Sequence, residues 1–161
     1  AEDGDAEAQA SLGAIYTEGF GVEQDYKEAL KWIRKASKNG NHRAQTSLGM
    51  MYARGLGMEQ DYEEAIRWYR KAAEQGSPMA QYTLGGMYAK GHGVAQNFQE
   101  AAKWWRKAAE QNLPFAHYSL GVMYLTGQGV EKNNEKAVAW LRQAADQGFE
   151  PARAALKKMS Q

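Results

Sequence analysis

The segment Ala44-Gln45-Thr46-Ser47-Leu48-Gly49-Met50-Met51-Tyr52-Ala53-Arg54-Gly55 decides the fold, because the chain repeats its pattern. Its Leu-Gly pair also occurs at 12–13, 84–85 and 120–121, so that successive copies are 36 residues apart. The same step relates four tyrosines, four alanines and four tryptophans: Tyr16, Tyr52, Tyr88, Tyr124; Ala29, Ala65, Ala101, Ala137; Trp32, Trp68, Trp104, Trp140. A fixed period of this length indicates a repeat array. Positions that repeat therefore specify the fold, and positions that vary are candidates for function.

Each repeat predicts two helices. Apolar residues at helical spacing precede a Gly-x-Gly turn, whose first glycine suits a left-handed helix end. The second helix begins after a capping residue, with an acidic residue three positions later in three copies, which predicts capping boxes at Asp25/Glu28, Asp61/Glu64 and Asn97/Glu100. The fourth copy has Asn133 but Lys136, which predicts a weaker start. Gly40, Gly76 and Gly148, with Asn112 as the substitute, are predicted to end the second helices.

These signals predict an all-α protein, a right-handed α-solenoid of four helix-turn-helix repeats in one domain spanning residues 1–161. The repeats are placed at about 5–40, 41–76, 77–112 and 113–148. A polar ninth helix from Pro151, within 149–161, is expected to cap the C-terminal end, where Lys157 replaces the glycine of the Leu-Gly pair. No extra helix precedes the first repeat, so we expect further repeats or another domain before Ala1.

Composition excludes several classes of function. The 161 residues carry a net charge of +1, which provides no overall field for nucleic acid or an anionic membrane. There is no cysteine for disulfides or thiolate chemistry, and no apolar run is long enough to insert into a membrane. We expect a monomer without a cofactor. The start Ala-Glu-Asp would suit a chain processed after a signal peptide, which weakly favours the bacterial periplasm or secretion and leaves the compartment open.

Paired helices with Leu-Gly-x-x-Tyr in the first and Ala-x-x-x-apolar-x-x-Ala in the second resemble tetratricopeptide repeats. Alanine replaces the family's tryptophan at Ala8, Ala44, Ala80 and Ala116, and the Gly-x-Gly turn makes each copy two residues longer. With endings such as Lys71-Ala-Ala-Glu-Gln-Gly76, the chain resembles the Sel-one-like repeat family. That resemblance implies a scaffold or adaptor, in bacteria an envelope, host-interaction or toxin-immunity factor.

Motifs that suggest chemistry have structural interpretations that fit better. The Gly-x-Gly turns follow a helix C-terminus, whose dipole disfavours phosphate. His42, His92 and His117 occupy different places in their repeats, and no metal-ligand spacing surrounds them. The tryptophans recur with the fold, which favours packing over a ligand cage. The basic residues of the second helices recur too, beside acidic neighbours, which favours a solvated convex face over nucleic-acid binding. We therefore expect no enzymatic activity.

The first helices vary most between copies, at positions that face the concave groove in tetratricopeptide-like arrays. Their character changes from acidic and small through basic to aromatic, which core packing does not require. We expect a protein or peptide partner to bind there, at these positions: Arg43, Thr46, Met50, Arg54, Met79, Tyr82, Lys90, Phe115, Tyr118, Val122 and Leu125. Two alternatives remain open, a small-ligand or glycan module built on the aromatics of repeats three and four, and a C-terminal helix that covers part of the repeat-four patch.

Overall fold

A computed structural model of the protein describes residues 5–160, and over that range the regular secondary structure is entirely α-helical. Its nine helices have nearly equal lengths, as a repeat array requires. They are α1 (Ala6–Glu18), α2 (Tyr26–Lys38), α3 (His42–Arg54), α4 (Tyr62–Glu74), α5 (Pro78–Lys90), α6 (Phe98–Ala109), α7 (Pro114–Thr126), α8 (Asn134–Asp146) and α9 (Glu150–Met159). The fold class predicted from the sequence, an α-solenoid of helix pairs with an added C-terminal helix, is confirmed. Among these helices, none has the length and apolar character needed to cross a membrane.

The chain divides into two compact units. The first extends to Ala80 and includes His92–Val94, and the second comprises Gln81–Gly91 and the residues from Ala95 onward. Within the first unit, α1 packs against α2, α2 against α3 and α3 against α4. Within the second unit, α6 packs against α7, α7 against α8 and α8 against α9. Neighbours in sequence are thus neighbours in space inside each unit.

The glycine of each Leu-Gly pair lets the two helices of a repeat approach closely. A Cβ at Gly49 would lie 3.0 Å from the Tyr69 ring, and one at Gly85 would lie 2.6 Å from the Trp105 ring. Gly13 meets Ile33 and Gly121 meets Leu141 in the same way. The facing residue is always the one after the repeated tryptophan, and the leucine beside the glycine is fully buried in repeats two to four. This contact is the repeated core of the fold.

The Gly-x-Gly turn joins the two helices with two left-handed glycines. Gly19, Gly55 and Gly127 end their first helices with φ between +68° and +74°. The second glycine packs on the preceding repeat: a Cβ at Gly57 would lie 2.5 Å from the Tyr26 carbonyl oxygen. Gly129 contacts the Phe98 carbonyl in the same manner. The turn therefore connects helices within one repeat and also sets the distance to the repeat before it.

Of the two hydrogen bonds that define each predicted capping box, only the one accepted by the N-cap side chain is present. The Asp61 carboxylate accepts hydrogen bonds from the amides of Glu63 and Glu64, at 2.9 and 3.0 Å, as predicted for an N-cap. Glu64 does not return to the Asp61 amide, because that N–H donates to the carbonyl oxygen of Tyr52 instead. Its carboxylate pairs with Arg67 one turn along the same helix. The first-helix tyrosine thus supplies through its backbone what the acidic residue was expected to supply.

The predicted ends of the second helices are correct. Gly40, Gly76 and Gly148 have φ between +82° and +92° just after α2, α4 and α8. Asn112 has a φ of +59° after α6 and is the non-glycine residue of positive φ in the described part of the chain. Asparagine tolerates this conformation better than other side chains, which explains the substitution.

Candidate functional site

In the first unit, α3 presents the predicted basic side chains in an exposed setting. The Arg43 guanidinium lies 3.1 Å from the Glu7 carboxylate, and both groups are more than half exposed. A pair this exposed contributes little to stability, so a partner carboxylate can displace Glu7 at small cost. Arg54 is also exposed. Burial of Tyr69 raises the pKa of its hydroxyl to about 12, and the positive charge of Arg54 has a smaller, opposite effect on that pKa. Both arginines are thus available to a negatively charged partner.

The other predicted residues of the first unit are less uniform. Thr46 is half-buried, and its hydroxyl donates to the His42 carbonyl and lies 3.2 Å from the Ser77 hydroxyl. That hydroxyl is engaged inside the fold and has little capacity left for a partner. Met50 is half-buried, whereas Met79 is 46% exposed. Of these three residues, Met79 offers the most accessible apolar surface.

In the second unit, four aromatic rings form one connected group, which we name the aromatic cluster: Tyr82, Phe115, Tyr118 and Phe149. Ring centroids are 5.7 Å apart for Tyr82 and Phe115, 5.1 Å for Phe115 and Phe149, and 5.4 Å for Tyr118 and Phe149. Separations of this size are those of favourable aromatic pairs. Phe115 remains 41% exposed. The structure therefore brings three predicted residues together in a partly solvent-facing apolar surface.

Sequence reasoning missed Phe149, because it lies outside the first helices of the four repeats. Phe149 is the N-cap residue of α9 and makes no side-chain capping hydrogen bond. The equivalent residues of earlier repeats are the capping side chains Asp5, Asn41 and Ser77, and then Leu113, which also makes no capping bond. An apolar residue at a capping position was the signal that this side chain has another role.

An apolar pocket of about 240 Å³ lies beside the aromatic cluster. It is lined by Ala89, Phe98, Trp105, Tyr118, Ser119, Val122, Met123 and Gln128. The indole N–H of Trp105 donates to the Tyr82 carbonyl oxygen at 2.9 Å, so this polar group is satisfied within the protein. The structure thus adds Phe98 and Trp105 to the predicted pair Tyr118 and Val122. Both additions come from α6, a second helix, which explains why inspection of the first helices did not find them.

The start of the C-terminal helix contacts the repeat-four patch, as one of the open alternatives expected, because Phe149 packs against Phe115 and Tyr118. Tyr118 and Leu125 pack against a buried group formed by Leu141, Ala144, Ala145 and Ala152. Both side chains are half-buried. Leu125 is therefore partly structural, whereas Tyr118 contributes to the packing and to the pocket. Lys90, the last residue of α5, is exposed and provides a positive charge close in sequence to the pocket residue Ala89.

The histidines do not form a metal centre. Within residues 5–160, no group of three or more histidine, aspartate or glutamate side chains is arranged to hold a metal ion. His42 and His92 are exposed, and His92 stacks on Tyr62 with the ring centroids 5.0 Å apart. These two histidines are in the first unit and His117 is in the second, so the structure gives no reason to group them.

His117 belongs to a repeated buried hydrogen-bond pattern that sequence reasoning also missed. It occupies the position of Gln9, Gln45 and Gln81 in the earlier repeats. Gln75 donates to the side chain of Gln45 at 2.7 Å, and Gln147 lies 3.2 Å from the His117 Nδ1 atom. Gln45 also donates to the Ser37 carbonyl, and His117 Nε2 lies 3.0 Å from the equivalent Ala109 carbonyl.

The repeat interval of 36 would have identified His117 as a replacement for glutamine. Burial lowers the pKa of this imidazole, against a smaller opposite effect of the Ala109 carbonyl. A neutral ring that donates from Nε2 and accepts at Nδ1 satisfies both contacts.

The basic residues of the second helices are largely engaged with their own helices. Lys31 pairs with Glu28 and Lys103 with Glu100, each across one helical turn. Three further lysines lie over the repeated tryptophans, with the ammonium 4.6 Å from the Trp32 ring centroid, 4.4 Å from Trp68 and 4.6 Å from Trp104. These contacts favour the interpretation of this stripe as a solvated structural face.

Comparison with known proteins identifies the repeats. The family model described as the Sel1 repeat matches residues 6–41, 42–77, 78–113 and 114–149. No curated protein matches the chain.

Among solved structures, the chain is similar to a protective antigen of uropathogenic Escherichia coli strains that displays an SLR fold, with 40% identity and a TM-score of 0.95, covering 98% of this chain and 34% of that one. A Sel1 repeat protein of Oxalobacter formigenes shows 39% identity and a TM-score of 0.92, with 96% and 63% covered. Cysteine-rich protein B of Helicobacter pylori shows 26% identity and a TM-score of 0.65, with 85% and 98% covered. The chain thus spans about a third of the first of these proteins and just under two thirds of the second.

Proposed function

This chain belongs to the Sel1 repeat family, and we propose that it is a scaffold or adaptor whose first helices bind a peptide or a protruding loop of a partner protein. Sel1 repeat proteins generally mediate protein–protein interactions and are typically not enzymes. The observation that supports the site is the apolar pocket beside the aromatic cluster, since Phe115, Tyr118 and Val122 occupy positions that vary between copies. Aromatic anchors seated in pockets are the usual centres of binding energy at protein interfaces.

The pocket's size favours one side chain of a partner over a whole small molecule. Sites for drug-sized ligands measure about 300–1,000 Å³, whereas this pocket measures about 240 Å³. Its lining contains no charged residue, so the occupant is an apolar side chain, and Phe115 and Tyr82 offer the adjoining surface. Lys90 lies at the end of α5 with its side chain in solvent, and it would attract an acidic residue of the same segment.

The basic residues of the first unit would contribute in a different way. Arg43 and Arg54 are exposed, so their charges act through water and mainly affect the rate of association. Apolar contacts in the second unit would mainly determine the rate of dissociation. The partner we propose is therefore a segment that combines an apolar anchor with carboxylates.

A small-ligand or glycan-binding module is the second candidate. Its support is the exposure of Phe115 within the aromatic cluster, since flat aromatic surfaces also suit sugar rings. The two candidates differ in the extent of the bound surface. A protein partner would perturb residues well outside the pocket, whereas a sugar would perturb the aromatic cluster alone.

The biological setting we propose is a bacterial envelope or host-interaction role, in the periplasm or outside the cell. It is supported by the description of the Escherichia coli relative as a protective antigen, although this chain matches only 34% of that protein. A toxin-immunity role, implied by the family resemblance, stays a prediction. A monomeric protein without nucleic-acid binding also stays a prediction.

The experiment begins with capture of partners from the native host and their identification by mass spectrometry. Surface plasmon resonance then compares the parent with Val122→Ser, which makes the pocket wall polar, and with Arg54→Ala. We expect Val122→Ser to weaken binding about tenfold or more through faster dissociation. Arg54→Ala should slow association at low salt and lose its effect as salt rises.

Arg70→Glu on the second helix α4 is the control, and its binding should match the parent. Normal binding by Val122→Ser together with loss of binding in Arg70→Glu would place the site on the second helices and refute the proposal.

A further inference from the structure

The fourth repeated tryptophan lacks the lysine that covers each of the other three. Lys35, Lys71 and Lys107 follow their tryptophans by three residues, and their ammonium groups lie over the rings at 4.4–4.6 Å. In the fourth repeat this position is Gln143. The residue immediately before the tryptophan in the sequence is also uncharged in the fourth repeat, where it is Ala139, whereas it is Lys31 in the first repeat. Lys136, one turn earlier on the same helix, lies over the Tyr124 ring instead, 5.7 Å from its centroid. Within residues 5–160, no lysine or arginine lies over Trp140.

The Trp140 ring packs against His117, with the ring centroids 5.6 Å apart, and it also borders a cleft with negative charge. This cleft, which we name the Trp140 cleft, has a volume of about 690 Å³ and is lined by Ala109, Glu110, Asn112, His117, Trp140, Gln143, Asp146 and Gln147. It contains two carboxylates and no basic residue other than the buried His117. Neither Glu110 nor Asp146 forms an ion pair with any residue that the structure describes. The cleft therefore joins an aromatic face to unpaired negative charge.

The change to Gln143 also removes a positive charge from the last turn of α8. The last turns of α2, α4 and α6 carry lysine or arginine, which interact favourably with the negative end of the helix dipole. The last turn of α8 has no basic residue and ends with Asp146, and the equivalent residues of repeats two and three, Glu74 and Glu110, are also acidic. A carboxylate at this position is unfavourable for the isolated helix. Arg153 of α9 donates to the Ala145 carbonyl oxygen at 3.3 Å and supplies part of this compensation from the next helix.

We propose that the Trp140 cleft binds the side-chain ammonium of a lysine from another protein, in the position that Lys35, Lys71 and Lys107 occupy over their own tryptophans. Attraction between an ammonium and the indole face, with carboxylates beside it, is the chemistry of known cation sites. The occupant follows from the chain's own symmetry, since the same ring binds a lysine in three of four repeats. The site is independent of the apolar pocket, because the two share no lining residue.

The test uses nuclear magnetic resonance of the indole N–H signals, which report the five tryptophans separately. The probe is lysine with its α-groups blocked and its side-chain amine free, and the matched control is the same compound with that amine acetylated. We expect a saturable shift of the Trp140 signal with the free amine and none with the acetylated compound. The Trp32, Trp68 and Trp104 signals should stay unchanged, because lysines already cover those rings.

Gln143→Lys is the decisive variant, because it supplies the missing lysine from the chain itself. Three repeats tolerate lysine at this position, so the fold should be kept, which thermal unfolding checks. We expect the variant to bind the probe at least about tenfold more weakly. A double change of Glu110→Gln and Asp146→Asn should weaken binding without loss of stability. An unchanged titration of Gln143→Lys, or an equal shift with the acetylated compound, would overturn the proposal and leave the apolar pocket unaffected.

Discussion

Gly57 and Gly21 occupy the same position of successive repeats and have nearly the same backbone, with φ of +72° and +73°. Their surroundings differ: a Cβ at Gly57 would lie 2.5 Å from the Tyr26 carbonyl oxygen, whereas one at Gly21 would meet nothing within 4 Å. A substitution at Gly21 therefore measures the free energy needed to place a side chain in the left-handed conformation. The same substitution at Gly57 adds the free energy of a steric clash with the neighbouring repeat.

Alanine at Gly21 should lower the free energy of unfolding by about 1–2 kcal/mol, the cost of placing an ordinary residue in this conformation. Alanine at Gly57 should cost about 1–3 kcal/mol more, because the backbone of the neighbouring repeat cannot move away freely. Denaturant unfolding of the two variants measures the difference. Equal losses would show that the Tyr26 carbonyl shifts at little cost.

His117 makes stability depend on pH. Burial lowers its pKa in the folded state below the usual value near 6.5, so the folded protein binds this proton less readily than the unfolded chain does. The stabilisation is complete above about pH 6.5 and decreases as the pH falls towards the folded-state pKa. The groups around the ring are Gln147, the Ala109 carbonyl, Trp140 and the carboxylates that line the same cleft.

We expect the melting temperature to fall between about pH 7.5 and pH 5 in the parent protein. His117→Gln restores the amide of the other repeats and should reduce this fall. Calorimetry of both proteins at both pH values is the measurement. An equal fall in both would assign the pH dependence to other groups.

At the scale of one helix, α5 carries adjacent glycines with opposite roles. A Cβ at Gly85 would lie 2.6 Å from the Trp105 ring, whereas one at Gly86 would meet nothing within 4 Å. We expect Gly85→Leu to destabilise the protein by about 1–3 kcal/mol or more through overpacking. Gly86→Ala should stabilise it by about 0.5–1 kcal/mol, because alanine favours the helix. Thermal unfolding tests both changes, and a loss in Gly86→Ala would mean that this face is covered.

At the start of α4, the capping residue Asp61 and the acidic residue Glu64 are expected to contribute differently to stability. Asp61→Ala should cost about 1 kcal/mol, because the amides of Glu63 and Glu64 lose their acceptor. Glu64→Ala should cost less than about 0.5 kcal/mol, since that carboxylate only forms an exposed pair with Arg67. Denaturant unfolding of the two variants compares them. Equal losses of unfolding free energy in the two variants would instead support the capping box that the sequence predicted.

Helices were predictable because each depends on signals within about 13 residues, and four copies of each signal agree. Partners across the repeat were less predictable. The Asp61 amide bonds the Tyr52 carbonyl, a backbone group with no sequence signature. Phe149 and Trp105 join the candidate site from outside the first helices. Such contacts depend on how helices pack, which periodicity alone does not specify.

At the scale of the whole molecule, the repeated positions and the varying positions have separate roles. Leu48, Leu84 and Leu120 are identical and fully buried. The position occupied by Lys35, Lys71 and Lys107 changes only once, to Gln143, and there a cleft opens. The candidate sites therefore lie where the internal symmetry fails. The variation of the first helices is visible in the sequence, whereas the importance of Gln143 is not, because the contact of its position with the tryptophan ring appears only in the folded helix.

Charge balance over the whole chain predicts its behaviour towards nucleic acids. The 20 basic and 19 acidic residues leave a net charge of +1, and lysines of the second helices are engaged by Glu28, Glu100 and three tryptophans. Binding to duplex DNA needs several cations free to replace counterions at the phosphates. We expect no binding at micromolar protein and about 0.15 M salt in fluorescence anisotropy. A variant in which Glu28, Glu64 and Glu100 are changed to glutamine frees the stripe and should bind measurably at low salt. Micromolar binding by the parent at physiological salt would instead show that the second helices are a functional basic face.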